Sequence, residues 1–206
     1  VGVGEIAYQN GLTYALDRLQ GRDLKGARYP EQEADPLIVH PDIRRMLLRS
    51  KSLIEGMRCL AVWTGMSIDR SLKDPDEATR EANGELVELL TPIVKALCTD
   101  LGCEIANDML QVYGGHGYIR EHGMEQLVRD LRIAPIWEGT NGIQALDLAG
   151  RKLPRDMGRL LRRFFHPALE FVEAHRDDPD LGEFVEPFAK GLRGLQKTSM
   201  FLAQKG

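Results

Sequence analysis

A glutamate at position 138 stands in the segment of the chain whose residue types best suit catalysis. Glu138 follows Ile136 and Trp137, precedes Gly139, and lies just ahead of a predicted helix that begins at Asn141. A carboxylate beside an aliphatic and an aromatic side chain is expected to lose hydration, and desolvation disfavours its charged form. A carboxyl group tuned in this way suits a general base. The alternative requires no catalysis, because a glutamate near a helix N-terminus is stabilised by the helix dipole.

A glycine cluster lies upstream of this glutamate, at Gly114, Gly115 and Gly117. Glycines after a long helix let the backbone approach a ligand closely and expose its N–H groups. The spacing fits neither GxGxxG nor GxxxxGK[ST], so the cluster is not a recognised phosphate-binding motif. Gly114 alone is also explained as the residue that ends the helix.

The histidines and cysteines point to no metal site and no nucleophile. His116 and His122 are six positions apart, and no nearby cysteine or carboxylate pattern completes a set of metal ligands. Cys98 and Cys103 are five apart on a predicted helix, so they face different sides and are interpreted as packing residues. We therefore expect no metal.

Composition limits the protein to a globular chain. The 206 residues are 43% hydrophobic and 28% charged, which excludes disorder, and the net charge of -4 gives no general attraction to nucleic acid or an anionic membrane. No apolar run approaches the ~18 residues that cross a bilayer. Three scattered cysteines favour a reducing compartment, the cytoplasm. The chain begins with valine and no leader, so we expect a piece of a longer protein.

The apolar periodicity predicts an all-α chain with two long helices. A first helix is expected over residues 3–20, with Ile6, Leu12, Leu16 and Leu19 on its apolar side, followed by a loop over 22–34. Asp35 and Pro36 are expected to cap and open a helix of roughly 35 residues, about 50 Å long. Asp74 is expected to cap a second long helix that carries the same kind of stripe. Two long helices joined by a short turn are typical of a four-helix up-down bundle.

Shorter elements complete the predicted architecture. Helices are expected over 124–132 and over 141–148, the latter capped by Thr140. We assign residues 1–150 to the bundle and residues 151–206 to an appended C-terminal helical hairpin. One predicted stripe in the hairpin runs from Leu153 through Met157 to Val172, and the turn at 177–179 is a candidate cap.

Charge is uneven in the hairpin. Residues 151–163 hold six basic residues and one acid, whereas residues 170–186 hold seven acids and one base. The basic run is interpreted as a solvated face that its acidic neighbour partly neutralises, and a nucleic-acid or membrane face is the alternative.

The segment from Gln111 to Gln144 resembles the C-terminal domain of acyl-CoA dehydrogenases, flavoenzymes that oxidise the α–β bond of an acyl-CoA thioester. A looser similarity at residues 14–21 extends the resemblance over about residues 1–150. The appended hairpin resembles the extension of a longer subfamily, which includes enzymes acting on 3-(methylthio)propionyl-CoA. The matched positions of the main motif are Gln111, Gly114, Gly115, Gly117, Tyr118, Glu125, Arg129, Asp130, Ile136, Trp137, Glu138, Gly139, Thr140, Ile143 and Gln144.

The resemblance implies roles for individual residues. Glu138 would remove the α-proton of the substrate while the β-hydrogen leaves as hydride to the flavin. Trp137 would line the acyl and flavin side, and the substrate would pass close to Gly139. The positions implied to contact FAD are Arg18, Gln20, Gln111, Gly114, Gly115, Thr140 and Asn141.

The resemblance also implies partners. In the family that the chain resembles, one subunit contacts the FAD of its neighbour, which implies a homodimer or homotetramer. Electron-transfer flavoprotein would receive the electrons. No membrane or nucleic-acid partner is expected. The family also has an N-terminal helical domain and a middle β-domain, so these 206 residues alone are expected to be inactive and not to retain FAD stoichiometrically. The alternatives are a non-catalytic helical module for assembly or binding, or a nucleic-acid-associated member using residues 151–163.

Overall fold

The protein is built from α-helices joined by short irregular turns. The computed structural model describes residues 1–205, and these contain no β-strand beyond one isolated bridge between Leu19 and Pro36. Among the described residues, no helix combines the length and apolar character needed to cross a bilayer. The helices are α1 (Gly2–Asp17), α2 (Pro41–Lys73), α3 (Glu77–Tyr113), α4 (Gly115–Tyr118), α5 (Met124–Arg132), α6 (Asn141–Asp147), α7 (Arg159–His175) and α8 (Gly182–Lys205). Short helical turns lie at Leu37–Val39, Arg120–His122, Leu148–Lys152 and Arg155–Met157.

The chain folds as two compact units. The first, unit 1, comprises Val1–Ala61 with Lys95–Thr140; the second, unit 2, comprises Val62–Val94 with Asn141–Gly206. The long helices α2 and α3 each contribute one segment to each unit.

Unit 1 is a four-helix bundle around one apolar core. Its helices are α1, the first part of α2, the last part of α3, and α5. Arg49 of α2 pairs with Glu104 and Asp108 of α3, so these two helices lie against each other in this unit. The buried core consists of Ala7, Tyr8, Ala15, Met46, Leu47, Ile54, Met57, Ile105, Met109, Val112 and Met124. The prediction of an all-α chain with a helical bundle and a hairpin is confirmed.

Helix α1 buries its small residues rather than its large aliphatic ones. Ile6 and Leu16 are each 52% exposed, so the predicted apolar side is wrong at these two positions, whereas Leu12 does pack, partly buried, against the core. The buried positions are Gly4, Ala7, Tyr8, Gly11 and Ala15. A Cβ atom on Gly11 would lie 2.5 Å from the sulfur of Met109. The backbones of α1 and α3 therefore approach closely, and only small side chains fit between them.

The loop after α1 is organised by a buried carboxylate, and α2 begins later than the sequence suggests. Asp35 was expected to cap α2, but the helix begins at Pro41 and the Asp35 side chain is fully buried. Its oxygens accept the backbone N–H groups of Asp23, Arg28 and Tyr29 at 2.9–3.1 Å. The carboxylate thus satisfies loop amides instead of helix amides, because the intervening chain folds back onto it.

Caps elsewhere follow the same local chemistry with small shifts in position. Asp76, not Asp74, caps α3: its carboxylate accepts the Thr79 N–H at 2.9 Å. Asp178 accepts the N–H groups of Asp180 and Leu181 ahead of α8, as the sequence predicts.

Unit 2 contains the hairpin of α7 and α8. Phe165 and Val172 of α7 pack with Val185, Ala189 and Leu192 of α8. A second small core joins Leu89 of α3 to Leu153 and Leu160. Met157, which the sequence places on the buried stripe, is 92% exposed, because the chain leaves helical geometry there before α7 begins.

The basic run at 151–163 is neutralised, but by α3 rather than by the acidic run at 170–186. Lys152 and Arg155 both bind Glu88, at 3.1 and 2.6 Å. Arg159 and Arg163 both bind Glu85. The predicted solvated, neutralised face is therefore present with a different acidic partner, since α3 lies against the start of the hairpin within this unit.

We expect replacement of Asp35 by asparagine to loosen the loop over residues 22–34. In asparagine one of the two carboxylate oxygens becomes an amide nitrogen that cannot accept, so the side chain can no longer accept from all three backbone N–H groups. Hydrogen exchange of the amides of Asp23, Arg28 and Tyr29 should accelerate about tenfold or more. Exchange in α8 serves as the internal control and should not change.

The same carboxyl group predicts an acid-sensitive contribution to stability. Burial alone would raise the pKa of Asp35, but the three backbone N–H donors and the nearby Arg22 charge lower it from 3.8 to about 2. Because the folded pKa is depressed, the contribution is complete above the unfolded value of 3.8 and is lost as pH falls towards about 2. Thermal unfolding measured against pH should show this loss in the wild type and not in Asp35→Asn; identical profiles would contradict it.

Candidate active site

The segment that carries Glu138 is a tight turn between α5 and α6. The N–H groups of Ile136 and Trp137 both return to the Ile133 carbonyl, at 2.9 and 3.2 Å. Glu138 follows with φ of 51° and Gly139 with φ of 88°, so two consecutive residues have left-handed backbone conformations. A non-glycine residue in this region is strained, and such strain is concentrated at functional sites.

The Glu138 side chain lies on the surface of this chain. Ile136 and Trp137, which were expected to desolvate it, are themselves 49% and 56% exposed. The predicted desolvation of Glu138 by its two neighbours is therefore wrong for this chain, because the turn projects all three side chains outwards. What the turn does provide is an exposed carboxylate beside an exposed apolar surface.

The glycine cluster forms the turn that ends α3. Gly114 has φ of 58°, and its N–H returns to the Gln111 carbonyl at 2.9 Å, so this glycine does stop the helix. Gly117 is required by packing, because a Cβ there would lie 2.5 Å from the Leu110 carbonyl oxygen. Gly115 is different: its φ is not positive, and a Cβ would meet nothing within 4 Å. Nothing in the part of the chain that the structure describes therefore requires glycine at 115.

A cluster of four aromatic and histidine rings surrounds this turn. The Tyr14 hydroxyl lies 2.8 Å from Nδ1 of His116, and the Tyr14 ring stacks on Tyr113 with centroids 4.0 Å apart. His116 stacks on His122 at 4.7 Å. Burial raises the pKa of the Tyr113 hydroxyl, and the neighbouring Tyr14 adds to this shift. The histidines, interpreted from sequence as residues without a site, thus join the end of α1 to the glycine turn.

Two of the candidate FAD-contacting residues, Arg18 and Gln20, follow the end of α1. Arg18 follows the last helical residue, and its N–H is bonded to the Tyr14 carbonyl at 2.8 Å. Gln20 follows the bridged residue Leu19, and its backbone carbonyl accepts a hydrogen bond from Nε2 of His40 at 2.8 Å. The side chains of Arg18, Gln20 and Gln111 are exposed. The ring cluster holds Tyr14, one helical turn before Arg18, against His116 and Tyr113 on either side of Gly114 and Gly115.

Glu138 and the glycine turn lie at different ends of α5. Met124 at the start of this helix is buried in the bundle core, and its other end reaches the middle of α3, where Cys103 donates to the Leu131 carbonyl at 3.3 Å. A helix of nine residues spans about 13 Å. The structure thus brings Tyr14 of α1 to the glycine turn and holds Trp137, Glu138, Gly139 and Thr140 on a separate turn. Asn141 begins α6, as expected.

Comparison with known proteins identifies the family. Residues 15–153 match the model of the acyl-CoA dehydrogenase C-terminal domain. The chain belongs to the acyl-CoA dehydrogenase family. It is 49% identical over 164 residues to the 3-methylmercaptopropionyl-CoA dehydrogenase of Ruegeria pomeroyi, covering 80% of this chain and 27% of that protein. A butyryl-CoA dehydrogenase of Syntrophomonas wolfei is 32% identical over 189 residues, which cover 92% of this chain and 30% of the relative.

The fold of acyl-CoA dehydrogenases is also seen in solved structures. The crystal structure of Caenorhabditis elegans ACDH-11 in complex with C11-CoA superposes with a TM-score of 0.77 at 19% identity, covering 95% of this chain and 30% of the other. The resemblance drawn from the residues, including the subfamily named there, is confirmed. The chain spans 27–30% of the length of these proteins.

The strain at residue 138 predicts a difference between two variants that both lack the carboxylate. Glu138→Gly removes the Cβ that makes φ of 51° costly, whereas Glu138→Ala keeps it. We expect the glycine variant to be about 1 kcal/mol more stable than the alanine variant in chemical denaturation. Equal stabilities, or a more stable alanine variant, would show that this turn is not held in a left-handed conformation.

Proposed function

We propose that this chain supplies the catalytic base and part of the FAD-binding surface of an enzyme that dehydrogenates an acyl-CoA thioester between its α and β carbons. The observation that carries the proposal is Glu138 itself, an exposed carboxylate on a strained turn within the family-matched residues 15–153. A residue kept only for packing has no reason to occupy such a conformation.

The chemistry assigned to Glu138 is removal of one proton from the α carbon of the thioester. A thioester α-proton is weakly acidic, so the carbonyl oxygen must be stabilised as negative charge develops on it. The Glu138 backbone N–H is the donor that we assign to this oxygen. Gly139 has no side chain, and the thioester can therefore pass close to the backbone beside the base.

The environment of the base is completed by Trp137 and by groups outside this chain. Trp137 and Ile136 offer exposed apolar surface next to the carboxylate. Contact of that surface with the acyl chain and with further parts of a longer protein would exclude water from Glu138. Exclusion of water strengthens every electrostatic interaction at the reacting carbon.

The glycine turn fits FAD. Added Cβ atoms at Gly114 and Gly115 would meet nothing within 4 Å, so the backbone there is open to a bound group. Arg18 offers a guanidinium that matches phosphate oxygens, and Gln20 and Gln111 offer exposed amides. We also assign to FAD the residues Thr140 and Asn141, which follow Glu138 in the sequence. When bound, FAD supplies the acceptor for the β-hydride.

The remaining partners follow from this assignment. We propose an acyl-CoA as substrate, electron-transfer flavoprotein as electron acceptor, a homodimer or homotetramer that shares FAD between subunits, and a cytoplasmic location. The 49% identical relative is named for a thioether-containing acyl-CoA, and the 32% identical one for butyryl-CoA. Both acyl-CoAs therefore belong in the first substrate panel.

The alternative functions receive less support from the structure. A nucleic-acid face was hypothesised for residues 151–163, but Lys152, Arg155, Arg159 and Arg163 are each paired with a glutamate of α3. Paired cations release fewer counterions on meeting phosphate, which weakens such binding. A purely structural helical module leaves the strain at Glu138 unexplained.

We expect Glu138→Gln in the full-length protein to retain FAD and lose dehydrogenation. Glutamine preserves shape and hydrogen bonding but cannot accept the α-proton, and a general base contributes about 10²–10⁴-fold. Flavin reduction by butyryl-CoA or 3-(methylthio)propionyl-CoA, followed by absorbance in stopped flow, should slow by that factor. Glu121→Gln, another exposed glutamate of unit 1, is the matched control and should not change the rate. An undiminished rate of flavin reduction in Glu138→Gln would show that Glu138 is not the general base.

Gly115→Ala tests the FAD surface without disturbing the fold. The added methyl group meets nothing inside this chain, so thermal stability of the flavin-free protein should be unchanged or slightly raised. Because the methyl group occupies space assigned to the cofactor, we expect FAD affinity to fall about tenfold or more, measured by flavin fluorescence titration. Gly191→Ala on α8 is an equally open glycine and serves as the control. Equal FAD affinity in both variants would show that FAD does not bind at this turn.

A further inference from the structure

An apolar groove runs along the hairpin of unit 2, between α7, α8 and the turn Arg155–Met157. Its volume is about 480 Å³, which lies within the range of small-molecule sites. Leu161, Phe165 and Leu169 line it from α7, and Met200 lines it from α8. No aspartate or glutamate is among its lining residues in the described part of the chain.

A cation without a carboxylate partner stands at the edge of this groove. Arg159 and Arg163 are both bound to Glu85 of α3, but Arg162 forms no ion pair with any carboxylate of residues 1–205. Arg162 instead donates one N–H to the Met157 carbonyl at 2.9 Å, which leaves most of its five donors for another acceptor. His166 lies one helical turn further on and also lines the groove.

The turn at the mouth of the groove is strained. Asp156 and Met157 have φ of 48° and 52°, and Gly158 continues with φ of 78°. Two consecutive non-glycine residues in this region cost free energy that a plain connection between helices would avoid. The strained conformation places the Met157 carbonyl against Arg162 and leaves the Met157 side chain 92% exposed beside the groove.

We propose that this groove binds the anion of a long-chain carboxylic acid, with its carboxylate on Arg162 and its chain along Phe165, Leu169 and Met200. The groove offers an apolar wall with one unpaired guanidinium, and an amphiphile with one negative charge matches both features. Arg162 presents paired N–H donors that fit a carboxylate. His166 adds an imidazole ring to the same lining. The site shares no residue with the proposed base or FAD surface, so it does not rest on the proposed function.

Dodecanoate is the probe that tests this site. Titration calorimetry of the full-length protein, with dodecanoate below its micelle concentration, should show one bound anion per chain. Arg162→Gln should weaken binding about tenfold or more, because a charge-assisted hydrogen bond is lost. Dodecan-1-ol, which keeps the chain but has no charge, should bind both proteins equally and more weakly than dodecanoate binds the wild type.

Two further variants keep the test independent of folding. Met200→Asp places a like charge at a position that is already 54% exposed, so it should preserve the helix content and weaken dodecanoate binding as well. Lys190→Gln removes an exposed cation of α8 outside the groove lining and should have no effect. Circular dichroism confirms that each variant is folded.

Three results would overturn the proposal. Equal dodecanoate affinity in wild type and Arg162→Gln would show that the cation does not hold the carboxylate. Binding of many anions per chain would show adsorption to apolar surface rather than a site. Arg162-dependent binding to phosphatidylglycerol vesicles without binding of monomeric dodecanoate would make the groove a membrane contact. Dodecanoate binding should be unchanged in Glu138→Gln, which separates this result from the test of the base.

Discussion

The arrangement of unit 1 depends on one apolar core, to which each of its four helices contributes. Met46 and Met57 of α2 meet Ile105 and Met109 of α3, and the buried small face of α1 lets Met109 lie directly on Gly11. The glycine turn extends from one end of α3, and the Glu138 turn extends from α5. Their separation is therefore set by core packing and by the length of α5. A change that moved α1 away from α3 would also disturb the ring cluster beside the glycine turn.

The helices could be predicted from sequence because their apolar residues recur at helical spacing over long stretches. The boundaries of α5 were predicted to the residue, and α2 and α3 within a few residues. The errors concern interactions between distant segments. Asp35 has the residue type of a helix cap, but its partners are loop amides brought to it by chain reversal. Ile6 and Leu16 of α1 predicted the wrong buried face, although Leu12 does pack against the core, because the close approach of α1 to α3 at Gly11 leaves room only for small side chains.

In the candidate site, too, local features could be predicted from the sequence, whereas contacts between distant residues could not. Glu138 and the glycines could be identified from a contiguous motif, and the structure gives each a distinct local conformation. The contact of Tyr14 with His116 joins residues 102 positions apart, so no local pattern could reveal it. The exposure of Glu138 was also missed, since apolar neighbours in sequence do not ensure burial.

The central claim is that the carboxylate at position 138 exchanges a proton with the carbon next to a thioester. Proton exchange can be measured without electron transfer, by incubating the full-length protein and butyryl-CoA in deuterium oxide with no electron acceptor. Mass spectrometry then reports deuterium at the α carbon. We expect deuterium incorporation to be catalysed by the wild type and slowed about 100-fold or more by Glu138→Gln. Incorporation at the same rate in both proteins would contradict it.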